Sequence, residues 1–178
     1  NTYALGAIAV NSNVVLAAPV VINANTATFA STITGGTNTA LTITAGGGIN
    51  LGGNVSTSGS QTYNNDITLT NSLEMNSSAG NITFNKKLLS QANQSYSLTV
   101  TAANQVTIGD SVGITVTTTG SALPTTYALR DFIVTAPTIQ ILADVLTRRD
   151  QKFTGAVQIG DNGVKGALLA HYFYLLQQ

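Results

Sequence analysis

The sequence predicts an all-β protein coiled as a parallel β-helix of about nine coils, with a pilin-like β-sandwich as the alternative. Three observations predict it. Apolar residues alternate with polar ones at period two almost throughout, which marks strands. Many of these short runs begin six to nine residues after the one before, leaving room for a few strand residues and a tight corner. The chain also repeats itself: Leu41-Thr42-Ile43-Thr44-Ala45 through Leu51 aligns without a gap on Leu98-Thr99-Val100-Thr101-Ala102 through Ile108, 57 residues on. Self-similarity is the mark of a stacked coil. A sandwich would join its strands by hairpins with Asn-Gly or Asp-Gly turns, and Asn162-Gly163 is the only such dipeptide.

Taken in order, the strand words are Ile8–Val10, Val20–Ile22, Leu41–Ile43, Ile49–Leu51, Ile67–Leu69, Leu73–Met75, Ile82–Phe84, Leu98–Val100, Val106–Ile108, Ile114–Val116, Ile139–Ile141 and Val157–Ile159. Each places two apolar side chains on one face. Leu41, Ile43, Ile49, Leu51, Ile67, Leu69, Leu98, Val100, Val106 and Ile108 are the expected core ladder. Gly46-Gly47-Gly48 reads as a corner between two sides of one coil. Larger echoes lie over these words. Asn1-Thr2-Tyr3 returns as Gln61-Thr62-Tyr63 and Thr125-Thr126-Tyr127, and Thr28-Phe29 returns as Thr83-Phe84. They divide residues 1–163 into about three units of ~60 residues, each of about three coils of ~20, with Asp110 to Pro124 as an insertion.

Charged residues make up only 8% of the chain, against roughly 25% in an ordinary soluble domain. None lies before Asp66. Their place is taken by Thr and Val, which fit a pleated surface, and by Asn and Gly, which fit tight corners. The formal net charge is zero, so nothing points to nucleic acid as a partner. So little charge protects poorly against self-association. No cysteine is present, which removes disulfides and thiolate metal sites. No apolar run reaches the ~20 residues of a membrane-spanning helix. The chain opens at Asn1 without a Met or a signal-peptide pattern, as a mature or excised piece would.

Gly59-Ser60-Gln61-Thr62-Tyr63-Asn64-Asn65-Asp66-Ile67-Thr68-Leu69, followed by Asn81-Ile82-Thr83-Phe84, resembles the repeats of filamentous-haemagglutinin-type adhesins. Asp150-Gln151-Lys152-Phe153 through Asp161 is a second instance of the same opening. Ser97–Ala102 with Val106–Gly109 is similar to the later part of those repeats. The resemblance spans residues 40 to 165 and implies a right-handed parallel β-helix, secreted or on the surface of a Gram-negative bacterium. It implies adhesion, biofilm formation or contact between cells, with host or cell-surface glycans or proteins as partners. It carries over no catalytic residue, because such repeats are scaffold.

Candidate chemistry is sparse. Thr-x-Thr words stand at 32–34, 42–44, 68–70, 99–101 and 115–117. A flat array of such pairs is what an ice-binding solenoid presents, but they recur irregularly and read as plain outward strand residues. Polysaccharide cleavage by a β-helix needs two carboxyls on one surface. Asp66 and Glu74 are eight apart and read as lying on neighbouring sides, while Asp110, Asp131, Asp144, Asp150 and Asp161 read as corner residues. His171 is the sole histidine and sits in an apolar run, so it reads as packing. Lys86-Lys87 and Arg148-Arg149 read as solvated corners, the arginines within reach of Asp144 or Asp150. No catalytic, metal or cofactor site is expected, and the chain reads as non-enzymatic.

Residues 164–178 break the strand pattern. A solenoid exposes apolar side chains and backbone at each end and needs covers there. Tyr172, Phe173 and Tyr174 are the residues expected to form a cap or a contact with a second subunit. Copies that meet end to end would build a filament, because such a contact does not close.

Overall fold

A computed structural model describes residues 6–114, 126–160, 168–169 and 172–176. The chain winds as a β-solenoid of about 7 turns, fewer than the nine expected. Each full coil has three sides. The first coil contains β1 (Ile8–Val10), β2 (Val14–Leu16) and β3 (Val20–Ala24). The second contains β4 (Ala27–Phe29), β5 (Ile33–Gly35) and β6 (Leu41–Ala45), and the third β7 (Ile49–Leu51), β8 (Val55–Thr57) and β9 (Gln61–Tyr63). The fourth contains β10 (Ile67–Leu69), β11 (Leu73–Ser77) and β12 (Ile82–Phe84), and the fifth β13 (Leu88–Ser90), β14 (Leu98–Ala102) and β15 (Gln105–Ile108). In the sixth, Val112 bridges on the first side, and β16 (Phe132–Ile141) supplies both others. The seventh contains β17 (Val145–Leu146) and β18 (Asp150–Ile159), and β19 (Leu168–Leu169) and β20 (Tyr172–Leu176) begin the next.

All the strand pairings are parallel. Leu41–Ala45 pairs with β3 above it and β9 below it, which excludes the hairpin-built sandwich. Parallel stacking sets like positions over like, so inward residues form columns. One runs Ile43, Tyr63, Phe84, Ile108 and Ile141. Another runs Val14, Ile33, Val55, Met75, Val100, Val134 and Phe153. All ten residues of the expected ladder are 0 or 1% exposed. Burying each such side chain stabilises the fold by roughly 1.5–3 kcal/mol. Tyr63 stacks on Phe84 with ring centroids 5.6 Å apart, and Phe132 meets Phe153 edge-on at 6.0 Å.

Corners absorb differences in coil length. From Ile49 to its partner Ile67 is 18 residues, and from Leu88 to Val112 is 24. Asx side chains bind the corners of successive coils together. Asn65 Oδ1 accepts from the Ala45 amide at 2.8 Å, Asn54 Oδ1 from Glu74 at 2.8 Å, and Asp66 Oδ1 from Lys87 at 3.1 Å. At Gly46–Gly48, Gly48 has φ 106 and donates to Ala45 O at 2.8 Å. In the sixth and seventh coils the corner between the second and third sides flattens, and β16 and β18 run through it with a register shift after Thr135. Gly155 lies there at φ 134, where a Cβ would collide with Ala136 O.

The sequence echoes do not mark equivalent sides. Leu41–Ala45 lies on the third side, whereas its echo Leu98–Ala102 lies on the second, stacked on β11. Thr28-Phe29 is on the first side and Thr83-Phe84 on the third. Tyr63 is fully buried in a strand, while Tyr127 lies in a turn. Gly46–Gly48 does join two consecutive sides, but these are the last of one coil and the first of the next. All three sides ask for the same in-out-in word, so a word recurs wherever a strand recurs.

Residues 172–176 continue the stack as a strand. Tyr172, Phe173 and Tyr174 pair through their backbones with Asp150, Gln151 and Lys152. The proposed boundary at 163/164, together with Ile114–Val116 beyond Ile114, Thr115–Thr117, most of the Asp110–Pro124 insertion, the Tyr3 echo, Asp161 and His171, lies outside the described residues.

Candidate functional site

The third side carries the most regular outward surface. Its strands place Val21, Thr42, Thr62, Thr83, Thr107, Gln140 and Gln158 in one column. Two residues further along each strand stand Asn23, Thr44, Asn64 and Asn85. Asn64 Nδ2 donates to Thr44 Oγ1 at 2.8 Å, and Asn85 Nδ2 donates to Asn64 Oδ1 at 2.8 Å. Threonine favours these sites because its branched Cβ suits the pleat, and Asn stacks on Asn by amide-to-amide bonding. No charged side chain stands in either column.

The other sides differ. The first side presents Ala9, Thr28, Asn50 and Thr68, and the next position in that column, Leu89, is buried. The second presents Val15, Thr34, Ser56, Asn76, Thr101, Thr135 and Thr154, beside a column of Glu74, Thr99, Ile133 and Lys152 that carries charge. The Thr-x-Thr words are therefore dispersed. Thr42–Thr44 belongs to the third side, Thr68 to the first and Thr99–Thr101 to the second. A regular threonine column nonetheless exists on the third side, hidden in the sequence because Asn replaces the second Thr.

Interior polar groups explain the Gln-Thr-Tyr word. Gln61 is fully buried at the start of β9. Its Nε2 donates to Asn76 O at 2.7 Å, Thr57 Oγ1 at 3.2 Å and Val55 O at 3.4 Å. Its Oε1 accepts from the Tyr63 hydroxyl at 2.9 Å. Burial pushes the Tyr63 phenol far above its ordinary value, so it stays a donor. Gln151 repeats the device, donating to Val145 O at 3.0 Å, again six residues back.

The carboxylates are not gathered. Asp66 is an exposed corner residue lining a cleft of ≈ 360 Å³ with Gly46–Gly48, Asn65 and Lys86. Glu74 faces outward on the second side, in another cleft of ≈ 300 Å³ with Asn54, Ser72, Ser97 and Thr99. Among the described residues no group of three His, Cys, Asp or Glu could hold a metal, and no helix is long and apolar enough to cross a membrane.

Among the described residues a dense charge cluster centres on Asp131. Its Oδ2 accepts from Ser97 Oγ at 2.8 Å and Arg130 Nε at 3.0 Å, and its Oδ1 accepts from the Asp150 amide at 3.3 Å. Arg149 Nε lies 3.8 Å from Oδ1, so Arg149 meets Asp131, an acid that sequence spacing did not offer it. Burial alone would raise the Asp131 pKa. The bonds from Ser97, Arg130 and Asp150, with the Arg130 charge, outweigh it and hold the carboxyl below its ordinary value. The cluster joins three successive coils at the entrance to the second side, which is a fastening role.

No protein-family model matches this chain, and neither a curated protein nor a solved structure does.

Proposed function

We infer that this chain is a non-enzymatic structural and adhesive rod, a segment of a bacterial surface adhesin or the subunit of an extracellular filament. The observation that carries this reading is the uninterrupted parallel stack: from β1 to β18 every coil hydrogen-bonds to the next, and the acids that a hydrolase would use lie in separate clefts. Seven coils at ~4.8 Å make a rod roughly 34 Å long. Its axis runs along the backbone hydrogen bonds, so bending or stretching must strain many of them together. Nearly charge-free sides allow close lateral and end-on contact. The resemblance of Gln61–Leu69 and Asp150–Ile159 to adhesin repeats supports a rod outside a Gram-negative cell, with surface glycans or proteins as its proposed targets.

The test combines electron microscopy of the purified chain with binding to bacterial and host cells. Rods that lengthen with concentration and labelled chain retained on cells are expected. Monodisperse short rods under all conditions would sink the filament, and absence of retention on every surface would sink adhesion. Polysaccharide cleavage lost on replacing Asp66 or Glu74 would overturn the non-enzymatic reading.

A further inference from the structure

We propose that the outward face of the third side docks onto ice. Thr42, Thr62, Thr83 and Thr107 stand in consecutive coils in unbroken register, flanked by Thr44, Asn64 and Asn85. Neighbours are ~4.8 Å apart along the rod and roughly 6.7 Å apart along each strand, two residues of extended chain. That grid of hydroxyls and amides is close to commensurate with the oxygen repeats of hexagonal ice. Gln140 and Gln158 extend the first column to the seventh coil.

Three features select ice over other occupants. An ice lattice is neutral and periodic, and this double column is both, whereas the second side carries Glu74 and Lys152. The array is pre-ordered: β-branched Thr has few rotamers, and the Asn amides are held by Asn64 to Thr44 and Asn85 to Asn64 bonds of 2.8 Å. A pre-ordered surface loses little entropy on contact. Soluble sugars favour concave sites with apolar and aromatic walls. Here the face is strand surface with no aromatic residue in either column, Tyr63 being turned into the core. The inference goes beyond the adhesive reading and does not rest on it.

The experiment grows ice slowly in a solution of the full chain and measures its partition between ice and liquid, together with thermal hysteresis. The native chain is expected to concentrate in the ice. T62K with T83K should return it to the liquid, while S56K with N76K on the second side should leave partition unchanged. T62Y with T83Y, which keeps strand propensity, repeats the test should the lysines unfold the coil, and circular dichroism monitors the fold of each variant. A native chain left in the liquid overturns the proposal, as does equal enrichment of folded third-side variants. Cell retention is measured separately above freezing, so its outcome does not bear on this result.

Discussion

Gln61 shows how much one inward position can carry. Fully buried, it supplies a donor to three oxygens and the acceptor for the Tyr63 hydroxyl. Replacement by Leu keeps the volume near constant but leaves the Tyr63 hydroxyl and Asn76 carbonyl without these partners. An unmade buried hydrogen bond costs about 1–3 kcal/mol, so Q61L should lower unfolding stability by about 2–4 kcal/mol. The adjacent outward change T62A should fall within about 0.5 kcal/mol. Urea denaturation measures both, and equal effects would remove Gln61 from its interior role. This residue also marks a limit of sequence reading. Leu41, Ile43, Ile67 and Leu69 announce their strands by apolar alternation, whereas Gln61, Thr57 and Ser90 are buried polar residues at inward positions. Strands β8, β9 and β13 are therefore poorly marked by hydrophobicity, although the Gln-Thr-Tyr word was visible as a repeat. Its purpose, reaching a carbonyl six residues back across the corner, needs the corner's geometry to be seen.

At the scale of the element, strands and corners divide the labour. Strands set the columns, and corners hold the coils in phase through side-chain bonds about 20 residues apart in sequence, such as Asn65 to Ala45. The corner before the second side relies on a charge. Asp131 accepts from Ser97 one coil above and from the Asp150 amide one coil below. With its folded pKa below the unfolded value near ~3.9, the carboxylate contributes stability that is full above that unfolded value. That contribution is lost as pH falls through the lower folded pKa. Wild-type melting temperature should therefore drop on acidification through this range. D131N should be less stable at neutral pH and show a shallower acid limb, and differential scanning calorimetry from pH 6 down to pH 2 checks both. Parallel acid limbs would remove Asp131 from the pH dependence. Sequence spacing placed acids at corners but could not choose their partners. Asp131 and Arg149 meet only because residues 126–150 return one coil later to the same edge.

The whole molecule is a stack whose first coil breaks its own surface rule. In the second coil the outward residues of the three sides are Thr28, Thr34 and Thr42. Directly above them in the first coil stand Ala9, Val15 and Val21. Val15 is 80% exposed and Val21 67%. The same coil keeps its inward Ile8, Val10, Val14, Val20 and Ile22 only half-buried, unlike their partners Ala27, Phe29, Ile33, Leu41 and Ile43. Stacking another coil on this end would cover the inward set but leave the outward valines in water. A surface that covers both sets has to reach down the sides, and a second copy overlapping this coil is the occupant that the proposed filament supplies. The composition made association foreseeable, since no charge precedes Asp66, but the apolar collar emerges only when the coils are set in register. Thr closely matches Val in shape and strand preference, so V15T with V21T changes polarity with little change in fold. Sedimentation velocity should show the native chain gaining mass with concentration and the double variant remaining a single species, with unchanged circular dichroism and melting temperature. Equal association of both chains would remove the collar from any such contact.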